Sequence, residues 1–342
     1  MKKSRNFIII FAVCMTLILV TMIAVCIVSF SDDGTQPTDT DASFNALLVG
    51  VDTAANNADV IMLISLSQSD RYLTAIQLPR DTYVSYEGEG RKINSVYARM
   101  LSESNGDKHL AMRRFSGFLS ENLGVEIDKY ALLDTSIFAH VIDDLGGVTL
   151  NVPFDMYYED EAQSLDIAIE KGVQNLSGEQ AVDFVRYRYG YIEGDLGRLD
   201  AQKMLISALY NKLTTDTSAI EKIKLAAEIS KEMVTNFSPR DVLDIYSLAT
   251  DEGLSLRIMT APGEAKRYAE NSGAWYYVLN KISTENTLKE YINQGRSLTF
   301  DKNTVFCDES NLSFKNIYYD KNYTAKIYTD NNIPKLNFRQ GG

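Results

Sequence analysis

The sequence predicts an α/β (α+β) fold: a mixed central β-sheet covered by helices on both faces, preceded by one transmembrane helix. Three observations predict it. Apolar runs at 44–51 (FNALLVGV) and 60–66 (VIMLISL), with a strand-like stretch at 72–78 (YLTAIQL), lack a polar face, as strands buried on both sides do. Segments of helical spacing are interleaved with them, so helices supply the cover. Residues 7–30 carry no charge over 24 positions, enough at about 1.5 Å per residue to cross the roughly 30 Å hydrocarbon core.

In chain order, residues 1–6 form a cytoplasmic N-terminus, because Lys2, Lys3 and Arg5 precede the span and positive charge stays inside. No small-x-small cleavage site follows the span, against a signal peptide. Val25 before Cys26 is too bulky for a lipoprotein site. Residues 31–43 (SDDGTQPTDTDAS) read as a flexible linker, and an extracellular domain over 44–295 follows. The turn Ser67–Asp70 joins the second and third apolar runs as a hairpin. Helices are expected over 94–102, 108–123 and 135–145, the last stopped by Gly146-Gly147, with strands at 129–134 and 148–152. Ser177 and Gln180 form a capping box that starts a helix running toward Arg186. A helix over about 198–213 places Leu205, Leu209 and Leu213 on one stripe, and 219–235, 239–250 and 284–294 also read as helical. The C-terminal extension 296–342 holds short strand-like pieces such as 324–328, and its role is not readable.

Charge and cysteine content exclude several classes. Removing the three N-terminal cations from 34 Lys and Arg leaves 31 against 46 Asp and Glu, a net charge of −15 outside the membrane. Nucleic acid is therefore excluded as a partner. Cys14 and Cys26 lie in the span and Cys307 stands alone outside it, so the domain holds no internal disulfide. With only His109 and His140, a Cys/His zinc site and a Ser-His-Asp arrangement are both disfavoured.

Against that negative field, a set of arginines stands out. Arg186 and Arg188 flank Tyr187, Arg80 follows a strand end, and Arg198 and Gln202 are four apart on one helix face. A guanidinium fork binds phosphate oxygens bidentately, and several forks suit a diphosphate. Singly, each arginine reads more simply as a solvated surface residue. Asp52 and Asp59 stand at strand ends, where carboxylates hold Mg²⁺ (or Mn²⁺). Singly, each reads as a turn or capping aspartate, and Asp195 as a helix-start residue.

The stretch from about 44 to 295 resembles the LytR-CpsA-Psr family of membrane-anchored cell-wall enzymes. The matching words are NALLVGVD, ADVIMLIS, AIQLPRDTYV, KINSVYA, ENLGVEIDKY, DDLGGVTLNVPFDMYY, KGVQNLSGEQAVDFVRYR and GDLGRLDAQKMLISAL, followed by MVTNFS, APGE and WYYVLN. The resemblance implies transfer of an anionic glycopolymer, a teichoic acid or capsule-type polysaccharide, from a polyprenyl-diphosphate carrier to peptidoglycan. By matching position it implies Asp52 and Asp59 as Mg²⁺ ligands. It implies Arg80, Lys92, Arg186, Arg188, Arg198 and Gln202 as diphosphate contacts, and Arg80, Asp81 and Asp195 as catalytic residues. The lipid tail would lie in the apolar interior. Two positions depart from the family pattern: Asn57 stands where Arg is frequent, and Ala201 where the helix usually reads Arg-Gln. Two rival readings keep the same site: a lipid-diphosphate phosphatase with water as acceptor, and a non-catalytic regulator that senses envelope lipids. A plain structural ectodomain is the third alternative.

Overall fold

A computed structural model of the chain describes residues 43–51, 57–67, 69, 71–160, 165–187, 233–238, 255–268, 273–292, 305–321 and 327–329, with isolated positions at 201, 204, 205, 208, 209, 212, 241 and 323. The proposed span and the linker up to residue 42 lie outside these. Among the described residues no helix is long and apolar enough to cross a membrane.

The centre is a seven-stranded mixed sheet. Its middle is β1 (Phe44–Val51), β2 (Ala58–Ser67) and β3 (Tyr72–Gln77), with antiparallel β1–β2 and β2–β3 pairing. β4 (Tyr83–Tyr86) and β5 (Glu89–Lys92) form a separate hairpin. β6 (Lys129–Asp134) lies parallel to β1. β7 (Val148–Val152) pairs with β10 (Gly172–Leu176), and β8 (Met156–Asp160) with β9 (Leu165–Ile169). β11 (Val234–Thr235) closes one edge against β6. β12 (Ser255–Thr260) lies parallel to β3. β13 (Gly263–Arg267) and β14 (Trp275–Leu279) form another hairpin, and β15 (Ile327–Thr329) closes the other edge against β12. The sheet order is β11-β6-β1-β2-β3-β12-β15.

The apolar runs are buried on both sides, as their composition requires. Leu48, Val60, Met62 and Ile64 face one apolar cluster, while Leu47, Val49, Ile61 and Leu63 face another. The second cluster is covered by α1 (Ile93–Glu103) and α2 (Lys108–Leu123) through Val96, Tyr97, Phe115 and Leu119. The first is covered by α3 (Thr135–Asp144) and α4 (Gly178–Arg186) through Val141, Ile142, Phe184 and Val185. Burying each such side chain contributes roughly 1.5–3 kcal/mol. α5 (Lys281–Tyr291) and α6 (Leu312–Tyr318) complete the helices described.

Most local expectations hold. The β2–β3 hairpin forms, α1, α2 and α3 match the expected helices within two residues, and Ser177 and Gln180 close a capping box. Gly146 and Gly147 take φ of 73° and 85°, the left-handed region in which helices commonly stop. Leu205 and Leu209 are buried in the first cluster as expected of one stripe, and Leu213 lies outside the described residues.

The reading of 219–235 as a helix needs correcting at its end, where Val234–Thr235 is a strand. The exposed edge of β6 explains it. Thr235 Oγ1 donates to Tyr130 O at 2.7 Å, Tyr130 N–H donates to Asn236 Oδ1 at 2.6 Å, and Asn236 Nδ2 donates to Asp128 O at 3.0 Å. These bonds satisfy backbone groups that an edge strand would otherwise leave open. Residues 219–232 and nearly all of 239–250 lie outside the described residues.

Residues 305–321 do not trail away. Phe306, Phe314, Ile317 and Tyr318 are buried in the second cluster. Fully buried Asn280 donates from Nδ2 to Ile317 O at 2.8 Å and to Asp320 O at 2.7 Å, and Ser85 N–H donates to Val305 O at 2.6 Å.

Candidate active site

Of the candidate residues, Asp59, Arg80 and Asp81 stand at one end of the sheet. β1, β3, β6 and β12 all finish there and β2 begins there, the end where open α/β sheets bind ligands. β1 and β2 pair Gly50 with Val60 but Val51 with Ala58. Asp59 is therefore the extra residue of a β-bulge, a device that re-aims a side chain and terminates pairing. Its side chain is outside the description, as is all of Asp52, which follows Val51 in the chain. Two carboxylate-bearing positions thus adjoin one cross-strand pair. Their donor set, hard oxygens alone, fits Mg²⁺.

Two words of the sequence, Pro79-Arg80-Asp81 and Lys92-Ile93-Asn94, fold into one unit. Leu78 N–H still donates to Ile61 O at 2.9 Å. Beyond it the chain turns out of the sheet, so Arg80 comes two residues after Leu78 as Asp59 comes two residues before Ile61. Thr82 closes the turn, donating to Pro79 O from N–H at 2.8 Å and from Oγ1 at 2.5 Å. The start of α1 holds it from the other side: Ile93 N–H donates to Thr82 O at 2.8 Å and Asn94 N–H to Arg80 O at 3.2 Å. These bonds occupy amides that a helix leaves without internal partners. Tyr277 N–H adds a bond to Asp81 O at 2.8 Å.

This framework sets three charged side chains together. Lys92 is the N-cap residue of α1, but its side chain reaches Asp81 Oδ1 at 2.8 Å. Arg80 Nε lies 4.0 Å from the same oxygen. The Arg80 and Asp81 side chains are 10% and 14% exposed, so the group sits in a partly desolvated recess. The group lies at the start of α1, the end of a helix whose dipole and open amides favour an anion. Lys92 Nζ also lies 5.9 Å from the centroid of the Tyr276 ring. Burial raises the Tyr276 phenol above its usual value, and the nearby Asp81 charge adds to this, so the ring stays neutral at physiological pH.

The structure thus brings Arg80, Asp81 and Lys92 together and puts Asp59 at the same end of the sheet. Arg186 is the last residue of α4, described by its backbone only. Arg188, Asp195, Arg198 and Gln202 lie outside the described residues. Ala201 is fully buried in the first apolar cluster. Among the described residues no group of three or more His, Cys, Asp or Glu could hold a metal. The sequence reading missed Tyr276. It lies in the quoted word WYYVLN, but an aromatic in a β-hairpin gives no sign of lying beside Lys92.

With this geometry in place, comparison with known proteins is informative. The LytR_cpsA_psr family model matches residues 27–293. The chain belongs to the LytR-CpsA-Psr family. It is 27% identical over 268 residues to the polyisoprenyl-teichoic acid–peptidoglycan teichoic acid transferase TagV of Bacillus subtilis, covering 73% of this chain and 64% of that relative. It is 25% identical over 307 residues to biofilm regulatory protein A of Streptococcus mutans, covering 83% of this chain and 73% of that relative. The crystal structure of protein gbs0355 from Streptococcus agalactiae shares the fold, with a TM-score of 0.60 at 23% identity, covering 75% of this chain and 90% of that one.

Proposed function

We propose that this chain is a membrane-anchored transferase. It moves an anionic glycopolymer, a teichoic acid or capsule-type polysaccharide, from a polyprenyl-diphosphate carrier to peptidoglycan. The reaction is phosphoryl transfer. The observation that carries the reading is the Arg80–Asp81–Lys92 group, pinned between the end of β3 and the start of α1. A relative named as a teichoic acid transferase supports the same class.

In this mechanism Arg80 and Lys92 bind the diphosphate oxygens, joined by Arg186, Arg188, Arg198 and Gln202. A sugar hydroxyl of the acceptor attacks the phosphorus that bears the glycopolymer. The new P–O bond forms as the bond to the polyprenyl phosphate breaks. The hydroxyl proton passes to a carboxylate, Asp81 or Asp195, and the leaving phosphate keeps the electron pair. The fixed cations stabilise charge developing on the leaving group without reorganising, which is where most of the acceleration arises. Asp52 and Asp59 would hold Mg²⁺, which supplies further neutralisation of the phosphate charge. The membrane anchor keeps the enzyme in the bilayer that carries its donor.

A non-catalytic envelope-lipid regulator is the second reading. It is favoured by the match to a relative named as a regulatory protein and by Asn57 and Ala201, where the family frequently has arginine. The deciding experiment incubates full-length protein with lipid-linked glycopolymer and peptidoglycan and follows polymer attachment. Attachment that depends on Lys92 and Arg80 supports the transferase. Lipid binding without attachment or release of polyprenyl phosphate supports the regulator.

A further inference from the structure

Tyr276, whose ring centroid lies 5.9 Å from Lys92 Nζ, also lines a cavity of about 320 Å³ that the proposed mechanism does not use. Its walls come from three places: Tyr83 and Ser85 of β4, Tyr268 and Tyr276 of the β13–β14 region, and Asp308 and Glu309 of the C-terminal segment. The last two lie beyond the family match, which ends at residue 293, so the C-terminal segment completes the cavity in this chain.

Its shape is built in. Glu87 and Gly88 both take positive φ, 53° and 79°, the pattern of the tight two-residue turn that joins twisted strands. A side chain at Gly88 would meet no atom within 4 Å, and Gly90 lies so close to the Tyr83 ring that a Cβ would sit 2.8 Å from it. The hairpin thus presents bare backbone on this side and leaves the space open. The tyrosines are held by edge-to-face packing on Phe314, with ring centroids 5.3 Å from Tyr83, 5.3 Å from Tyr268 and 6.0 Å from Tyr276. Tyr268 donates its hydroxyl to Asp308 Oδ2 at 2.5 Å.

The chemistry of the lining selects a ligand. Hydrogen bonds from Ser310 and Tyr268 hold the Asp308 carboxyl below its ordinary range, so it is charged. Burial, with help from Asp308, pushes the Tyr83 phenol up to about 12, so it is neutral. Carboxylates only accept hydrogen bonds, and phenols both donate and accept. A phosphate brings no donors and meets repulsion. A saccharide brings hydroxyl and amide N–H donors that the Asp308 and Glu309 carboxylates and the phenol oxygens can accept. The volume falls at the small end of ligand sites, roughly 300–1,000 Å³.

We propose that this cavity is the acceptor subsite, binding a neutral, hydroxyl- and amide-rich saccharide of peptidoglycan type beside the Asp81–Lys92 pair. The assignment rests on the transferase reading above. Tyr276 then divides two opposite chemistries: cations for the donor diphosphate on the Lys92 side, and hydrogen-bond acceptors for the glycan on the Asp308 side.

The chain contains one tryptophan, Trp275, which is half-exposed and adjacent to Tyr276. Its fluorescence is the readout when full-length protein in detergent is titrated with the tetramer of N-acetylglucosamine. The expected result is a saturable change that Ser85→Gln, which fills the cavity, and Glu309→Gln, which removes a charge at nearly constant size, each weaken at least tenfold. Neither variant alters binding of polyprenyl diphosphate, measured separately by co-sedimentation with lipid vesicles. No saturable change in the wild type, or equal affinity in both variants, overturns the subsite. Loss of polyprenyl-diphosphate binding by the wild type instead removes the transferase reading, so the two failures are distinct.

Discussion

At the scale of single residues, the proposed roles of Asp81 and Lys92 predict a small effect on stability and a large one on function. The pair is partly exposed, with side-chain exposures of 14% and 32%, so solvent screens it and it is worth about 1 kcal/mol or less. Lys92→Met should therefore shift the melting temperature by only a few degrees. A charge-assisted contact to a phosphate is worth roughly 1.5–3 kcal/mol, so the same variant should lose about ten- to a hundredfold in glycopolymer transfer. Thermal melts and a transfer assay on one preparation check both halves. Gly178 has the opposite character. A Cβ there would lie 2.0 Å from the backbone oxygen of Ala139 in α3, and backbone cannot yield as a flexible side chain does. Gly178→Ala should cost about 3 kcal/mol, at the upper end of ordinary overpacking, read from denaturant midpoints at unchanged slope.

Among the elements, the C-terminal segment carries information that the sequence concealed. Composition marked 296–342 as rich in Asn, Asp and Tyr without indicating what it packs against. The reason is physical: Phe314 and Tyr318 have no periodic pattern around them strong enough to announce a helix of seven residues, and the rings that pack on Phe314, those of Tyr83, Tyr268 and Tyr276, lie more than thirty residues away in the chain. The β-strands were legible because a run such as Val60–Leu66 can be buried only on both faces. The site was legible only in part. The words Pro79-Arg80-Asp81 and Lys92-Ile93-Asn94 could be picked out, yet their union depends on the bond from Asn94 N–H to Arg80 O, which no spacing rule encodes. Two predictions follow the segment's chemistry. Burial, with Glu309 and Asp308 nearby, pushes the Cys307 thiol up to about 12. At pH 8 it should resist alkylation in the native protein and react on denaturation, as peptide mass spectrometry can show. Asp308 has a lowered folded value. Its contribution is complete above the ordinary aspartate value of 3.8 and is lost as pH falls through the lower folded value. Amide exchange across 305–321 should therefore rise, relative to β1 and β2, in acid below about pH 4.

The whole molecule joins a covered mixed sheet, the Arg80–Asp81–Lys92 group at one end of it, and a chain start that the sequence predicts to lie in the membrane. The last element is open to a direct check. The positive-inside rule, applied to Lys2, Lys3 and Arg5 before an uncharged stretch, predicts an external domain, so protease added to intact protoplasts should remove residues 44–342. Protection in sealed cells would reverse the orientation. The central claim is that the recess transfers phosphoryl-linked polymer rather than merely holding lipid. It is tested most directly by supplying purified full-length protein with polyprenyl-diphosphate-linked glycopolymer, Mg²⁺ and peptidoglycan, and measuring released polyprenyl phosphate together with polymer attached to the wall. The account predicts the two products in equal amounts from the wild type and at least tenfold slower formation in Arg80→Lys, where charge remains but the bidentate fork is lost. Wild-type rates in Arg80→Lys and Lys92→Met, or lipid binding by the wild type with neither product, would contradict it.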